Sequence, residues 1–203
     1  MVLKEDCENF WKGDFGLQYT NRNDLELLPS ILRTWVSILE RTDGDISSVF
    51  EFGTNSGLNL DALSMLLPKT SLNGVEINSY ACEIANNKGY NVRNSSFYNL
   101  DISQKFDLVF TYTVLIHVPP DNLEEIYKKI FNLSSKYILV CEYFSRDPVE
   151  VNYRGHEGRL YKRDFASELI NMFPSLKLLD YRFIWRNDKL FQEDDITYFL
   201  FMK

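Results

Sequence analysis

Val49-Phe50-Glu51-Phe52-Gly53-Thr54-Asn55-Ser56-Gly57 runs from an apolar strand straight into a Gly-x-x-x-Gly turn that opens a helix. Gly53 lets the chain bend tightly, and either glycine can take the positive φ that other residues avoid. Bare backbone there allows close approach by a ligand, and the helix start beyond it presents unpaired N–H groups. Asn55 can hydrogen-bond within the turn. Glu51, near the strand's end, can accept from a ligand ammonium directly or through water. About one βα unit downstream, Gly74-Val75-Glu76-Ile77 closes a second strand. A carboxylate at that tip can hold both hydroxyls of a ribose, and Ile77 can cover one face of a base. A dinucleotide site would want the tighter Gly-x-Gly-x-x-Gly turn, and a phosphate loop would want a lysine. A pair of glycines with Asn55 between them suits a ligand without phosphates.

Outward from this turn the chain alternates between short apolar runs and helical stretches. Strands are expected over Ile46–Phe52, Ser71–Ile77, Tyr90–Arg93, Phe106–Tyr112, Tyr137–Tyr143, Leu176–Trp185 and Ile196–Met202. Helices are expected over Leu25–Leu39, Leu58–Leu67, Tyr80–Asn87, Asn122–Phe131 and Arg163–Met172, the first with Asn23 or Asp24 as its cap and Pro29 in its first turns or at a kink. The last two strands read as an antiparallel hairpin. Such alternation predicts an α/β, Rossmann-like fold with a mostly parallel sheet and helices on both faces. Ligands in these folds sit outside the carboxyl ends of the strands. One domain over 1–203 is expected, with an aromatic N-terminal arm or lid (1–23) and a long polar loop on the substrate side (145–162).

With 22 Lys and Arg against 29 Asp and Glu, the 203-residue chain carries a formal charge of −7. That argues against a broad grip on nucleic acid or on an anionic membrane surface. The three cysteines, Cys7, Cys82 and Cys141, are too few and too scattered for a disulfide framework or a zinc cluster. No metal is expected. No apolar run approaches a membrane span and the first residues have no signal-like core, so a cytoplasmic protein is expected.

The segment Glu51–Gly57, followed by Glu76 and by Phe106-Asp107-Leu108-Val109-Phe110, resembles the class I S-adenosylmethionine-dependent methyltransferases. The resemblance implies a seven-stranded sheet of order 3-2-1-4-5-7-6 with the last strand antiparallel. It implies S-adenosyl-L-methionine as cofactor, with Gly53 to Gly57 around its methionine part, Glu76 on the ribose, and Ile77, Ser95, Ser96 and Phe97 at the adenine. Ser95 or Ser96 stands where the family often has an acid that receives the adenine amino group. Thr111 at the end of the fourth strand belongs to the same expected set. Outer segments are similar to the methylases found with pseudaminic acid biosynthesis: Phe10–Asn23, Val114-Leu115-Ile116-His117-Val118-Pro119-Pro120, and Glu142-Tyr143-Phe144 on through Tyr153-Arg154-Gly155-His156 to Phe165. They imply an acceptor among bacterial surface sugars of the nonulosonic type. The alternatives are another small metabolite, a protein side chain, or a cofactor-binding partner without turnover.

The remaining expectations concern the rim. Tyr19 can hydrogen-bond the methionine carboxylate and Arg22 can pair with it, while Trp11 packs. Tyr112 and Tyr143 can shape the acceptor pocket. Tyr153, Arg154 and Arg163 can hold an anionic sugar, because arginine forks suit carboxylates and phosphates; paired with local acids, they would be only a solvated surface. The two histidines, His117 and His156, are the candidate bases. His117 could equally order the Val118-Pro119-Pro120 turn.

Overall fold

The computed structural model describes residues 4–22 and 25–203. Two short helices lead, α1 (Lys4–Lys12) and α2 (Asp14–Thr20), then α3 (Leu28–Leu39). An alternating series follows: β1 (Ser48–Phe52), α4 (Leu58–Leu66), β2 (Ser71–Glu76), α5 (Ser79–Asn87), β3 (Asn91–Asn94), β4 (Phe106–Tyr112), α6 (Leu123–Leu133) and β5 (Ser134–Glu142). A hairpin of β6 (Val149–Tyr153) and β7 (His156–Lys162) precedes α7 (Phe165–Met172), β8 (Lys177–Ile184) and β9 (Ile196–Met202).

Seven strands form one sheet of order β3-β2-β1-β4-β5-β9-β8, and the hairpin is a separate two-stranded sheet. With the hairpin set aside, this is the expected order. β3, β2, β1, β4 and β5 run parallel, and β9 is antiparallel to both its neighbours. The alternation of each strand divides the core. Val49, Leu108, Phe110, Leu139 and Cys141 face Trp35 of α3 and Leu60 and Leu63 of α4. Phe50, Val109, Ile138 and Val140 face Ile126 and Ile130 of α6 and Leu169 of α7. Strands buried on both faces need a helix on each, which is why they read as continuous apolar runs.

The helix starts are built as their sequences suggest. Asn78 caps α5, its Oδ1 accepting from Ala81 N at 3.2 Å, and Asp164 caps α7 by accepting from Ser167 N at 2.9 Å. Pro29 sits in the first turn of α3, where its missing N–H costs nothing. Asn23 and Asp24, the expected cap of that helix, lie outside the described residues. The helix itself begins at Leu28, after a 3-10 turn over Leu25–Leu27.

Two segments differ from the sequence reading. The arm is helical: α1 and α2 pack together, and a Cβ on Gly16 would stand 1.9 Å from the Trp11 carbonyl oxygen, so this approach needs glycine. Helices this short are marginal alone and take their stability from packing, so periodicity alone does not reveal them. The 145–162 segment is largely the β6–β7 hairpin rather than a loop. Arg154 (φ +51) and Gly155 (φ +89) make its two-residue turn, both in the left-handed region that such tight hairpins need. Among the described residues, no helix is long and apolar enough to cross a membrane.

Candidate functional site

β1 enters its turn with Gly53 at φ +69, Asn55 at φ +48 and Gly57 at φ +87. Asn55 tolerates this conformation because its short amide bonds locally. Its Oδ1 accepts from Ser56 N at 2.8 Å and from Thr20 Oγ of α2 at 2.9 Å. Gly57 begins α4, and a Cβ there would press on the Tyr90 ring at 3.1 Å. At Gly53 a Cβ would stand 2.6 Å from Val114 Cγ2. Gly53 is therefore required by conformation and by space, and Gly57 chiefly by conformation.

The turn opens onto a cleft of about 430 Å³ at the carboxyl ends of the parallel strands. Among the residues expected from sequence, Tyr19, Glu51, Gly53, Asn55, Glu76, Ile77, Phe97, Tyr112 and His117 line it. Glu51 is only 1% exposed. Its Oε1 accepts from Asn59 Nδ2 at 2.8 Å, and Asn59 Oδ1 accepts from Trp35 Nε1 at 3.0 Å. Among the described residues its Oε2 is buried without a partner, as is Asn55 Nδ2. Burial pushes the Glu51 carboxyl well above the usual range, against the pull of the Asn59 bond. Glu76 accepts from Asn55 N at 2.8 Å and from Asn78 N at 2.7 Å, and burial raises its pKa as well. A carboxylate has about four acceptor positions, so these two bonds leave room for a ligand diol.

His117 stands in a 3-10 turn over Leu115–His117, beyond the end of β4. Its Nδ1 lies 2.6 Å from the Arg159 carbonyl oxygen. A carbonyl only accepts, so Nδ1 carries the proton and Nε2 is left as the basic nitrogen. Burial against Trp11 (4.5 Å between rings) and Tyr153 (5.0 Å) lowers its pKa to about 4, so the ring is neutral at ordinary pH. Glu142, at the tip of β5, holds this turn in place: Oε1 accepts from Val114 N and Leu115 N, each at 3.1 Å, and Oε2 from Ile116 N at 3.3 Å. Burial lifts its pKa to about 7 despite those donors.

The other expected residues lie off the cleft wall. Ser95 bonds back to Ser96 O at 3.1 Å, and Ser96 Oγ donates to Glu8 of α1. Thr111 is fully buried within β4. Tyr143 donates to Asp194 at 2.5 Å. Arg22 sits at the exposed end of α2, 3.4 Å from Gln18. Tyr153 belongs to an aromatic cluster with Trp11, Phe15 and His117. His156 is exposed and meets Phe10 at 4.9 Å. Arg154 is exposed at the hairpin tip, and Arg163 is engaged by Glu168 at 2.7 Å. The hairpin thus presses its aromatic side onto α1 and α2, and the expected anion-binding arginines do not converge on the cleft.

Several wall residues are absent from the sequence reading. Glu8 comes from α1, and Glu193 and Asp194 from the segment between β8 and β9, while Trp11, expected only to pack, also lines the wall. Glu193 accepts from Thr34 Oγ at 2.5 Å and also from the Tyr112 hydroxyl. Of the polar groups missed, Glu142 carried a signal, an acid at a strand tip like Glu51 and Glu76. Glu8 and Glu193 lie on segments without such a pattern and reach the cleft only through tertiary packing.

No family model and no curated protein matches the chain. Solved structures match its fold. A 1,6-didemethyltoxoflavin-N1-methyltransferase of Burkholderia thailandensis, with 1,6-didemethyltoxoflavin and S-adenosylhomocysteine bound, superposes with a TM-score of 0.76 at 14% identity, over 100% of this chain and 91% of that one. The magnesium protoporphyrin IX methyltransferase of Synechocystis PCC 6803, with SAM bound, gives 0.68 at 14% identity over 100% and 98%. The plantazolicin methyltransferase BpumL, in complex with SAH, gives 0.68 at 13% over 97% and 93%. At such identities the likeness establishes the α/β methyltransferase fold, and the substrates named belong to those proteins.

Proposed function

We propose that this protein transfers a methyl group from S-adenosylmethionine to a small molecule. One observation carries the reading: two buried polar atoms without partners, Glu51 Oε2 and Asn55 Nδ2, line one cleft with a glycine turn that admits no side chain and with Glu76. Buried polar groups are normally satisfied, so an orphaned pair marks a place for ligand. A cleft of about 430 Å³ also suits a ligand of this size. When bound, S-adenosylmethionine supplies a methyl already activated on a sulfonium. Glu51 would take its ammonium, Glu76 the ribose hydroxyls, and Ile77 and Phe97 the faces of the base. Glu8, held against Ser96, brings a carboxylate from α1 to that end of the cleft. It would accept the adenine amino group, supplying from another element the acid that the serines after β3 lack.

The protein's own task is alignment, exclusion of water and handling of the acceptor's proton. Trp11 and Tyr19 line the cleft from the α1–α2 arm. His117 Nε2 is the basic atom on the wall, and it would receive a hydrogen bond from the acceptor hydroxyl or amine as the new bond forms. The acceptor class that the outer segments suggest, a nonulosonic sugar, rests on that resemblance. A second reading is favoured by the wall itself, where, among the described residues, Glu8, Glu51, Glu76, Glu193 and Asp194 face a single cation, Lys4. That wall matches an amine or an uncharged hydroxyl better than an acid.

Isothermal calorimetry with S-adenosylmethionine and with its demethylated product should give saturable binding, and absence of heat with both would remove the proposal. Glu76→Ala should weaken binding by about 1–3 kcal/mol through lost charged hydrogen bonds. An unchanged affinity would place the ribose elsewhere. Methyl transfer tested against acidic sugars and matched amines would then separate the two acceptor classes.

A further inference from the structure

We propose that β8 is the self-pairing edge of a homodimer, joined antiparallel to β8 of a second copy about a two-fold axis through Tyr181. β8 ends the seven-stranded sheet. Sheet edges that stay solvent-exposed are normally blunted by polar residues or by short length. The opposite edge obeys this: β3 is four residues, Asn91-Val92-Arg93-Asn94. β8 does not. Leu178 is 44% exposed, Tyr181 64% and Phe183 57%. Their partners in β9 are Phe201, Phe199 and Thr197, so all three lie on one face of the sheet. Tyr181 stacks on Phe199 at 5.9 Å, and exposed Phe144 continues the patch at 6.3 Å from Phe199. The other face of β8 carries Asp180, which accepts from Tyr198 Oη (2.7 Å) and lies 3.6 Å from Arg41 Nε, and Arg182, which donates to Ser37 Oγ (3.0 Å).

Symmetry and charge then select the register. A two-fold axis perpendicular to a continuous sheet leaves each residue on its own face, so it must pass through a residue rather than between two. Centring on Asp180 or on Arg182 sets like charges directly opposite, which is unfavourable. Centring on Phe183 pairs little of the strand, because β8 ends at Ile184. Centring on Tyr181 sets Asp180 opposite Arg182 of the second copy, and by symmetry does so twice. It also sets tyrosine beside tyrosine and brings the Leu178–Leu179 bulge against Phe183 of the second copy. Trp185 and Leu190, both exposed just beyond β8, extend the contact toward the roughly 800 Å² per partner that stable interfaces bury. The segment that follows β8 carries Glu193 and Asp194 to the cleft, so such a pairing would brace the root of one cleft wall.

Sedimentation equilibrium of the intact chain should show a dimer. Tyr181→Cys should then form a disulfide-linked dimer rapidly on mild oxidation, since opposed Cβ atoms lie about 4.5–5.5 Å apart in such a pair. The native cysteines Cys7, Cys82 and Cys141 are all buried, so they do not confuse the result. Leu190→Cys, more exposed than Tyr181 but off the axis, is the control and should cross-link far more slowly. Arg182→Asp should give monomers with an unchanged circular dichroism spectrum, and the exchanged pair Asp180→Arg/Arg182→Asp should restore the dimer. If either charge variant fails to fold, the cross-link decides. A wild-type chain that stays monomeric up to about 1 mM would overturn the proposal. So would a dimer in which the Tyr181→Cys chain links no faster than the control. Cofactor binding measured on the same samples keeps this test separate from the methyltransferase reading.

Discussion

Gly53→Val is expected to abolish S-adenosylmethionine binding. Two effects act together. The residue sits at φ +69, where a side chain costs roughly 1–2 kcal/mol and a β-branched one more. Its first carbon would stand 2.6 Å from Val114 Cγ2, so either Val114 or the turn must move. Val114 N donates to Glu142, and the turn after it carries His117, so displacement there would spread to the acceptor side. The branched methyls would also occupy the surface along which the methionine part of the cofactor should lie. Some loss of stability is expected beside the loss of binding, a fall of a few degrees in melting temperature for each kcal/mol in a chain of this size. Gly53→Ala separates the two: it retains most of the fold, checked by circular dichroism, and should still bind at least tenfold more weakly by calorimetry. Wild-type affinity in a folded Gly53→Ala protein would show that the turn is not the cofactor's seat.

The second large effect is expected at His117. His117→Ala should lower kcat by roughly 10²-fold, the lower end of the usual range for a positioned base, with cofactor affinity unchanged. The lower end follows from the pKa of about 4: a ring so reluctant to hold a proton accepts a hydrogen bond well but takes the proton fully only late. The pH profile gives the check that a merely structural role would not meet. In wild type the acid limb of kcat/KM should fall near pH 4 rather than near 6.5, and in the variant that limb should vanish. Stability has the same sign. An unfolded imidazole takes a proton near pH 6.5 and the folded one only near 4, so the fold loses stability as pH falls through that window. His117→Gln, which has no such proton to take up, should flatten that loss. A variant with full kcat and an unchanged acid limb would leave His117 as the brace between the turn and Arg159, and nothing more.

The match between expectation and structure follows the range over which each feature is specified. β4 and β9 begin and end where their apolar runs do, and the Gly53–Gly57 turn has the positive φ values its glycines invite. These depend on neighbours in sequence. The α1–α2 arm and the β6–β7 hairpin read as irregular because their apolar residues are satisfied by each other, Phe10 by His156 and Trp11 by Tyr153 and His117, more than a hundred positions away. The basic loop read as an anion trap resolves differently for the same reason. Arg163 finds Glu168 within its own helix region, and Arg154 is carried outward by the two-residue turn it helps to make.

By itself, then, the sequence determined the alternation of strands and helices from β1 to β5, the final β8–β9 pair, the glycine turn, and the two acids at the tips of β1 and β2, because strand alternation and backbone conformation are local properties. The tertiary structure alone decided the rest of the wall: Glu8 brought against Ser96, Glu193 brought to Tyr112, and the proton placed on Nδ1 of His117 by the Arg159 carbonyl. Each of these pairs residues 42 to 88 positions apart. Such pairs are set by which faces must be buried together, and no local spacing records that.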